Sequence, residues 1–244
     1  MDAMEQLFGT AATAVNRLRE REWDKIRTVG NWLGEALARD GWLYVFGTGH
    51  SHLVAEEVFY RAGGLAHAVP ILDPRIMLHE NAIAATYTER ESGFSARLLT
   101  HYPVAAGDVL IVVSNSGRNA VPIEMALLGK EKGMRVAAIL NRRQSDAWPS
   151  RHASGKKLAD VADVVIDNGG PDGDAWLQLP GLAGTTGSTS TMVGVLVIQL
   201  VLIRGIEVAL EKGVAPELYI SSNTHGDDHN DRLLQKYRSR IRHL

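Results

Sequence analysis

Small hydroxyl residues directly follow an apolar run in the middle of the chain. The motif Ser114–Asn119 (SNSGRN) comes after Val109–Val113 and leads into a helix-patterned segment from Val121 to Lys132. At the junction of a buried strand and a helix, free N–H groups and the positive end of the helix dipole point at one spot, and hydroxyl groups add further donors. The pattern therefore predicts an anion site at this turn.

Two further segments carry the same kind of donors. A Gly/Ser turn at 47–51 (GTGHS) follows the apolar run Trp42–Phe46, and the Thr/Ser-rich segment Thr185–Thr191 opens a long apolar helix pattern. One such turn is weak support for a site, whereas three can converge on one phosphate. The predicted phosphate-binding residues are Gly49, Ser51, Ser114, Asn115, Ser116, Asn119, Ser188 and Thr191.

Carboxylates and imidazoles near these turns are candidates for proton transfer. Glu56 and Glu57 lie about a turn and a half into the helix predicted after Ser51, so one of them can lean back over the turn. A carboxylate there could move a proton between neighbouring carbons of a bound sugar, although the pair could equally support the helix start from the surface. The predicted catalytic residues are Glu57, Glu56, His225 and His50.

Several other sites are disfavoured by spacing. A dinucleotide fingerprint would need a third glycine where Leu53 and Val54 stand, and Lys156 lacks the strand and leading glycine of a nucleotide-triphosphate loop. His225 and His229 are four residues apart, but Gly226 argues against a helical metal-binding pair. We expect neither a metal nor a cofactor, and the chain has no cysteine for thiolate chemistry.

Composition is typical of an ordinary globular domain. The 244 residues are 45% hydrophobic and 22% charged, with a formal net charge of -2, so nothing indicates a nucleic-acid or membrane partner. Asp2 and Glu5 stand where a secretory signal would carry positive charge, so we expect a cytoplasmic protein. The most apolar run, Met192–Ile203, is shorter than the roughly 20 residues of a membrane span, which favours a core helix.

The elements around these residues alternate between strand and helix patterns. Nearly all-apolar strands separated by helices predict an α/β fold with a parallel sheet between helical layers, a three-layer αβα arrangement. Residues 1–40 form a predicted helical extension that packs on the domain or on a second subunit, 41–218 the main domain, and 219–244 a polar segment and helix. The five predicted strands are Trp42–Phe46, Ala66–Leu72, Val109–Val113, Arg135–Leu140 and Asp163–Asp167.

Taken together, these motifs resemble those of the SIS (sugar isomerase) domain family. The resemblance rests on the turns at 47–51 and 114–119 and the segment 186–191, and spans about 42–210. A narrower similarity, to a group of SIS proteins predicted to bind phosphosugars, rests on the runs 46–64, 150–158 and 222–230. It implies a five-stranded parallel sheet, a phosphosugar held by the Ser/Thr turns, and a homodimer or homotetramer.

The resemblance also implies a reaction. In phosphoheptose isomerases a glutamate after the first Gly/Ser turn and a late histidine act as acid and base; Glu56 or Glu57 and His225 match them loosely, with a shorter spacing from Ser51. We therefore expect a sugar-phosphate aldose-ketose isomerase that transfers protons through an enediol without a cofactor. The alternatives are a non-catalytic phosphosugar sensor and an amino-sugar-phosphate lyase or deaminase.

Overall fold

The amino-terminal part of the chain is a long helical rod. A computed structural model describes residues 2–244, and its first elements are α1 (Ala3–Arg17) and α2 (Trp23–Leu37), joined by one π-helical turn over Leu18–Glu22. The Asp2 carboxylate accepts the N–H of Glu5 at 2.8 Å and so satisfies a donor at the start of α1. The amphipathic pattern predicted before the first strand thus forms two nearly continuous helices.

Five parallel strands form the central sheet, as the sequence predicted. They are β1 (Leu43–Gly47), β2 (Ala68–Ile71), β3 (Val109–Val113), β4 (Arg135–Leu140) and β5 (Val164–Asp167), in the spatial order β2-β1-β3-β4-β5. β1 and β3 are buried along their whole length because helices cover both faces of the sheet. Side chains alternate between these faces: Leu43 and Val45 join one core cluster, and Tyr44 and Phe46 join the other.

Helices pack on both faces of the sheet. The helices after α2 are α3 (His52–Glu57), α4 (Leu78–Thr88), α5 (Phe94–Leu99), α6 (Ala120–Glu131), α7 (Arg142–Ala147), α8 (Leu158–Val161), α9 (Ser190–Glu211) and α10 (Asp227–Tyr237). α2 and α9 contribute to the core cluster that contains Leu43, while α5, α6 and α10 contribute to the core cluster that contains Tyr44.

The crossing of α2 and α9 depends on two glycines. A Cβ on Gly34 would lie 2.3 Å from the Cβ of Val208, and one on Gly205 would lie 2.6 Å from Leu33 Cδ2. The two helices can pack this closely only because those side chains are absent.

α9 is longer than the apolar run Met192–Ile203 from which it was predicted. It has 22 residues and is apolar enough by length and composition to cross a membrane, so the expectation that this helix is too short to span one is wrong. Half of its most apolar window is buried within the protein, as in a core helix.

Three segments differ from the sequence-based predictions. Residues Thr185–Ser188 do not open α9; they form β7, which pairs antiparallel with β6 (Ala175–Gln178). β-Branched Thr185 and Thr186 favour this extended backbone, and α9 begins only at Ser190. The apolar spacing of residues 54–62 is typical of a helix, but α3 ends at Glu57, because Tyr60 has a positive φ of 43°. Residues 141–155 are polar and rich in turn-forming residues, a composition that predicts a loop, yet they contain α7.

Candidate functional site

The candidate site lies where the connectivity of the sheet reverses. β1 pairs with β2 on one side and with β3 on the other, and Gly47 at the end of β1 is in register with Val113 at the end of β3. The chains leaving these two strands therefore diverge from neighbouring points. In parallel α/β sheets the resulting crevice is where ligands bind.

The turn after β1 needs glycine for steric reasons. A Cβ on Gly47 would lie 2.4 Å from the carbonyl oxygen of Ser51, because the chain doubles back directly after the strand. Gly49 has φ +56°, in the left-handed region that glycine adopts readily. This turn places the half-buried Ser51 at the start of α3, beside the end of β3.

The turn after β3 leaves several N–H groups without an acceptor in the part of the chain that the structure describes. Ser114 is buried, and its Oγ accepts the N–H of Gly117 at 3.2 Å, which closes the turn. Asn119 is the N-cap residue of α6. Within residues 2–244, no acceptor is found for four N–H groups of this turn that lie on the two sides of Gly117. They are the N–H groups of Ser116, Arg118, Asn119 and Ala120.

The structure brings three of the predicted hydroxyl and amide residues to one narrow crevice. Ser51, Asn115 and Thr191 line it together with Ser190 and Asn168. Asn168 Nδ2 donates to Asn115 Oδ1 at 2.7 Å, and Asn115 Nδ2 donates to Gln144 Oε1 at 2.7 Å, so these amides have fixed orientations. The start of α9 can approach α3 because a Cβ on Gly194 would lie only 2.9 Å from Val54 Cγ2.

A carboxylate from the chain itself already occupies the start of α9. Asp174 Oδ1 accepts the N–H of Ser190 at 3.1 Å, and Asp174 Oδ2 accepts the Ser190 hydroxyl at 2.5 Å. A second anion at this helix start would be repelled by Asp174. Ser188, predicted with this group, lies exposed on β7 opposite Ala175. The N–H donors available to an anion are therefore concentrated in residues 114–120, the turn between β3 and α6, which is called the α6 turn below.

Glu89 links the two turns that flank the crevice. Its Oε2 accepts the Thr48 hydroxyl at 2.9 Å, and its Oε1 accepts Asn119 Nδ2 at 2.6 Å. Burial raises the pKa of the Glu89 carboxyl, an effect opposed by the hydrogen bond from Thr48 and the charges of Arg90 and Arg151. A carboxyl group whose pKa is raised by burial thus lies between the turns after β1 and β3.

The two predicted catalytic glutamates have different surroundings. Glu57 Oε1 accepts Gln199 Nε2 at 2.7 Å and also pairs with Arg61. Gln199 lies eight residues beyond Thr191, or about 12 Å along α9, so Glu57 faces the helix packing below the crevice. Glu56 is more exposed, and its Oε1 lies 3.5 Å from Nε2 of the buried His52.

The predicted histidines lie at the surface. His50 is exposed in the turn after β1, and His225 is exposed in the segment before α10. His229, four residues later, has its Nε2 2.9 Å from the carbonyl oxygen of Leu218. Among residues 2–244, no group of three or more His, Cys, Asp or Glu side chains is placed to hold a metal ion.

Several residues at the site were not singled out by sequence reasoning. Glu89 belongs to a polar cluster, Glu89–Glu91, that the sequence leaves open between a pocket lining and a solvated surface. Thr48 and Asn168 each directly follow a sheet strand, and this position at the carboxyl edge of the sheet is the signal that identifies them. Asp174 could not be found in this way, because the hairpin that carries it was not predicted.

Comparison with protein families gives a result consistent with this geometry. The SIS domain model matches residues 6–141, more than half of the chain. A UPF0309 protein of Listeria innocua is 40% identical over 228 residues, covering 93% of this chain and 92% of that protein. A UPF0309 protein of Halalkalibacterium halodurans is 40% identical over 224 residues, with 91% and 93% covered.

Solved structures share the fold at much lower identity. Phosphoheptose isomerase GmhA from Neisseria gonorrhoeae superposes with a TM-score of 0.53 at 18% identity, covering 83% of this chain and 96% of that one. A phosphoheptose isomerase from Francisella tularensis gives a TM-score of 0.52 at 14% identity, covering 85% and 100%. The resemblance inferred from the turns is thus confirmed at the level of family and fold. The chain belongs to the SIS domain family and, within it, to the proteins named UPF0309.

Proposed function

We propose that this protein binds a phosphorylated sugar at the carboxyl ends of β1 and β3 and interconverts its aldose and ketose forms through an enediol. The observation that carries the proposal is the α6 turn, where the N–H groups of Ser116, Arg118, Asn119 and Ala120 have no acceptor among residues 2–244. A phosphate oxygen is a suitable acceptor for such a cluster of N–H groups at a helix start.

The side chains that line the adjoining crevice support the sugar part of the proposal, although the crevice itself encloses only about 10 Å³. Hydroxyls of Ser51 and Thr191 and amides of Asn115 and Asn168 border the same space as the turn after β3. These neutral donors and acceptors match the hydroxyl groups of a sugar. The similarity to phosphoheptose isomerases lies in the fold and supports the same ligand class.

The proton-transfer group of the proposed isomerase is one of two carboxylates. Glu57 is the residue predicted from sequence, and its carboxylate is held by Gln199, about 12 Å along α9 from Thr191. Glu89 is held between the two turns, and burial raises its pKa, the direction in which a carboxylate becomes a stronger base. His50 and His225 remain candidates for moving a hydroxyl proton.

A phosphosugar sensor is the second candidate function. The pairing of Glu57 with both Arg61 and Gln199 favours it, because a carboxylate already engaged is poorly available as a base. A sensor would use the same phosphate turn and the same crevice. The two functions therefore differ only in whether the bound sugar reacts.

A ligand screen separates these possibilities. Purified protein is mixed with phosphorylated hexoses, heptoses and amino sugars, and thermal stability and product mass are both recorded. A ligand at 100 times its dissociation constant stabilises the folded state by about 2.7 kcal/mol, which a melting curve detects. Binding with conversion supports the isomerase, and binding without conversion supports the sensor. If no sugar phosphate binds, the proposed function is wrong.

A further inference from the structure

The segment 150–157 is fastened to the phosphate turn. The Arg151 N–H donates to the carbonyl oxygen of Arg118 at 2.8 Å, and the Leu158 N–H donates to the carbonyl oxygen of Gly117 at 2.8 Å. Within the segment, Ser150 Oγ donates to the Lys156 carbonyl oxygen at 2.7 Å, which closes it into a compact loop. The backbone of the turn and the backbone of this loop thus form one unit.

This loop brings a second arginine to the turn. Arg151 Nη1 donates to Asn119 Oδ1 at 3.0 Å, at the N-cap of α6. The Arg118 guanidinium lies 5.8 Å from the centre of the Trp148 ring, and its buried Nε has no hydrogen-bond partner within residues 2–244. Arg151 thus reaches the N-cap residue of α6, and Arg118 is itself a residue of the turn, so both cationic side chains belong to the unit that carries the free N–H groups.

The positive charge at this place is only partly offset by the chain. In the part that the structure describes, neither Arg118 nor Arg151 forms an ion pair with a carboxylate. Desolvation and the nearby charges of Arg118 and Arg90 lower the pKa of Arg151, whereas the charge of Glu89 raises it. Burial disfavours the anionic form of Glu89, on the other side of Asn119, although the charges of Arg90 and Arg151 favour it. An anion bound between the two arginines would reduce their mutual repulsion.

We propose that Arg118 and Arg151 bind the phosphate of the ligand and make the site selective for a doubly charged phosphate monoester. The inference rests on the proposed function and adds to it the cationic residues and the charge state of the ligand. The guanidinium groups supply charge-assisted hydrogen bonds, and the turn supplies N–H donors.

Titration calorimetry with inorganic phosphate tests this assignment. The full chain is compared with Arg118→Gln, Arg151→Gln, the double variant and the corresponding Lys variants, and thermal melting confirms that each folds. Each Gln substitution should weaken binding about tenfold to a hundredfold, since it removes charged hydrogen bonds. Arg143→Gln is the matched control, because Arg143 is an exposed arginine on α7 outside this cluster.

Salt dependence distinguishes a charge effect from a structural one. Between about 0.05 and 0.5 M salt, phosphate affinity of the unaltered protein should fall steeply, the double Gln variant should be nearly insensitive, and the double Lys variant should regain the dependence. The arginine assignment alone would be overturned if the double Gln variant bound phosphate as tightly as the unaltered protein and only the double variant Ser114→Ala with Ser116→Ala lost affinity. Equal losses in Gln and Lys variants, with unchanged salt dependence, would also overturn it. An unaltered protein that binds neither phosphate nor any sugar phosphate would overturn the proposed function as well.

Discussion

Asn119 connects the residues that define the site. Its side chain donates to Glu89 and accepts from Arg151, so a carboxyl group and a guanidinium group meet through one amide. Thr48 completes the chain by donating to Glu89 from the turn after β1. The turns after β1 and β3 are therefore joined by one chain of side-chain hydrogen bonds.

Replacement of Glu57 by Gln tests the sequence-based catalytic assignment. We expect Glu57→Gln to keep sugar-phosphate binding and to lose exchange of the C2 proton with deuterated solvent, because Gln cannot act as a base. Exchange is followed by proton NMR with a sugar phosphate that the screen shows to react. Glu91→Gln is the control, because Glu91 is a half-exposed glutamate paired with Arg97 away from the crevice.

If Glu57→Gln exchanges the proton at the unaltered rate, Glu57 is not the base. Glu89→Gln is then the decisive variant, since Glu89 alone of the two contacts both turns. Loss of exchange with retained binding in Glu89→Gln would assign the proton transfer to that residue.

At the scale of single residues, the sequence predicts the hydroxyl and amide residues of the crevice, but not the side chains from distant parts of the chain that contact the turns. The turns after strands predict Ser51 and Asn115, the Thr/Ser-rich helix start predicts Thr191, and the structure brings all three to one crevice. Arg151 lies 32 residues from Asn119, and the Glu89 bond to Thr48 spans 41 residues. Such contacts depend on the folded path of two long loops, which local spacing does not encode.

The close packing of α2 on α9 supports the helix start that borders the crevice. Gly34→Ala should lower the free energy of unfolding by about 1–3 kcal/mol, since the new Cβ would lie 2.3 Å from Val208 Cβ. Gly9→Ala on α1 is the control, because no atom lies within 4 Å of its added Cβ. That change should raise stability by up to about 1 kcal/mol, since alanine favours helix. Urea unfolding measures both, and equal effects would contradict the packing argument.

The docking of α10 below the sheet should depend on pH through His67. The ring centres of Trp42 and Tyr237 lie 4.5 and 5.0 Å from the centre of the His67 ring. Burial among these rings lowers the pKa of His67. The charge of Lys236 also lowers this pKa, whereas Asp40 and Glu217 raise it. As pH falls below about 6.5, the unfolded chain takes up a proton before the folded protein does, so stability decreases with acidification in that window.

Substitution of His67 by Gln tests this linkage. The unfolding free energy of His67→Gln, measured by urea titration from about pH 5 to 7.5, should change less with pH than that of the unaltered protein. The difference between the two proteins isolates His67 from the other histidines. Parallel pH profiles would show that His67 does not contribute.

At the scale of elements, the sequence predicts the five strands of the central sheet but not the short β6–β7 hairpin. All five sheet strands coincide with apolar runs, because burial on both faces requires apolar residues throughout. The β6–β7 hairpin is half-buried or exposed and carries Thr, Gly and Ser, a composition equally typical of a helix start. Its pairing across residues 179–184 is a tertiary feature without a periodic signal.

Across the whole molecule, the amino-terminal rod leaves apolar side chains in solvent. Met4 is 79% exposed and Phe8 is 75% exposed on α1. We propose that a second copy of the chain covers this face, in keeping with the homodimer or homotetramer implied by the SIS resemblance. Sedimentation equilibrium should give a dimer or tetramer, and Met4→Ser with Phe8→Ser should shift it toward monomer. A monomer at all concentrations would contradict the proposal.

The central claim, that a sugar phosphate binds at the Ser114–Asn119 turn, is tested most directly by calorimetry. The best ligand of the screen is titrated into the unaltered protein, into Ser114→Ala with Ser116→Ala, and into the control Ser239→Ala, an exposed serine after α10. Loss of charge-assisted hydrogen bonds of about 1.5–3 kcal/mol each should weaken binding in the double variant, with the control unchanged. Equal affinity in all three proteins would show that the phosphate binds elsewhere.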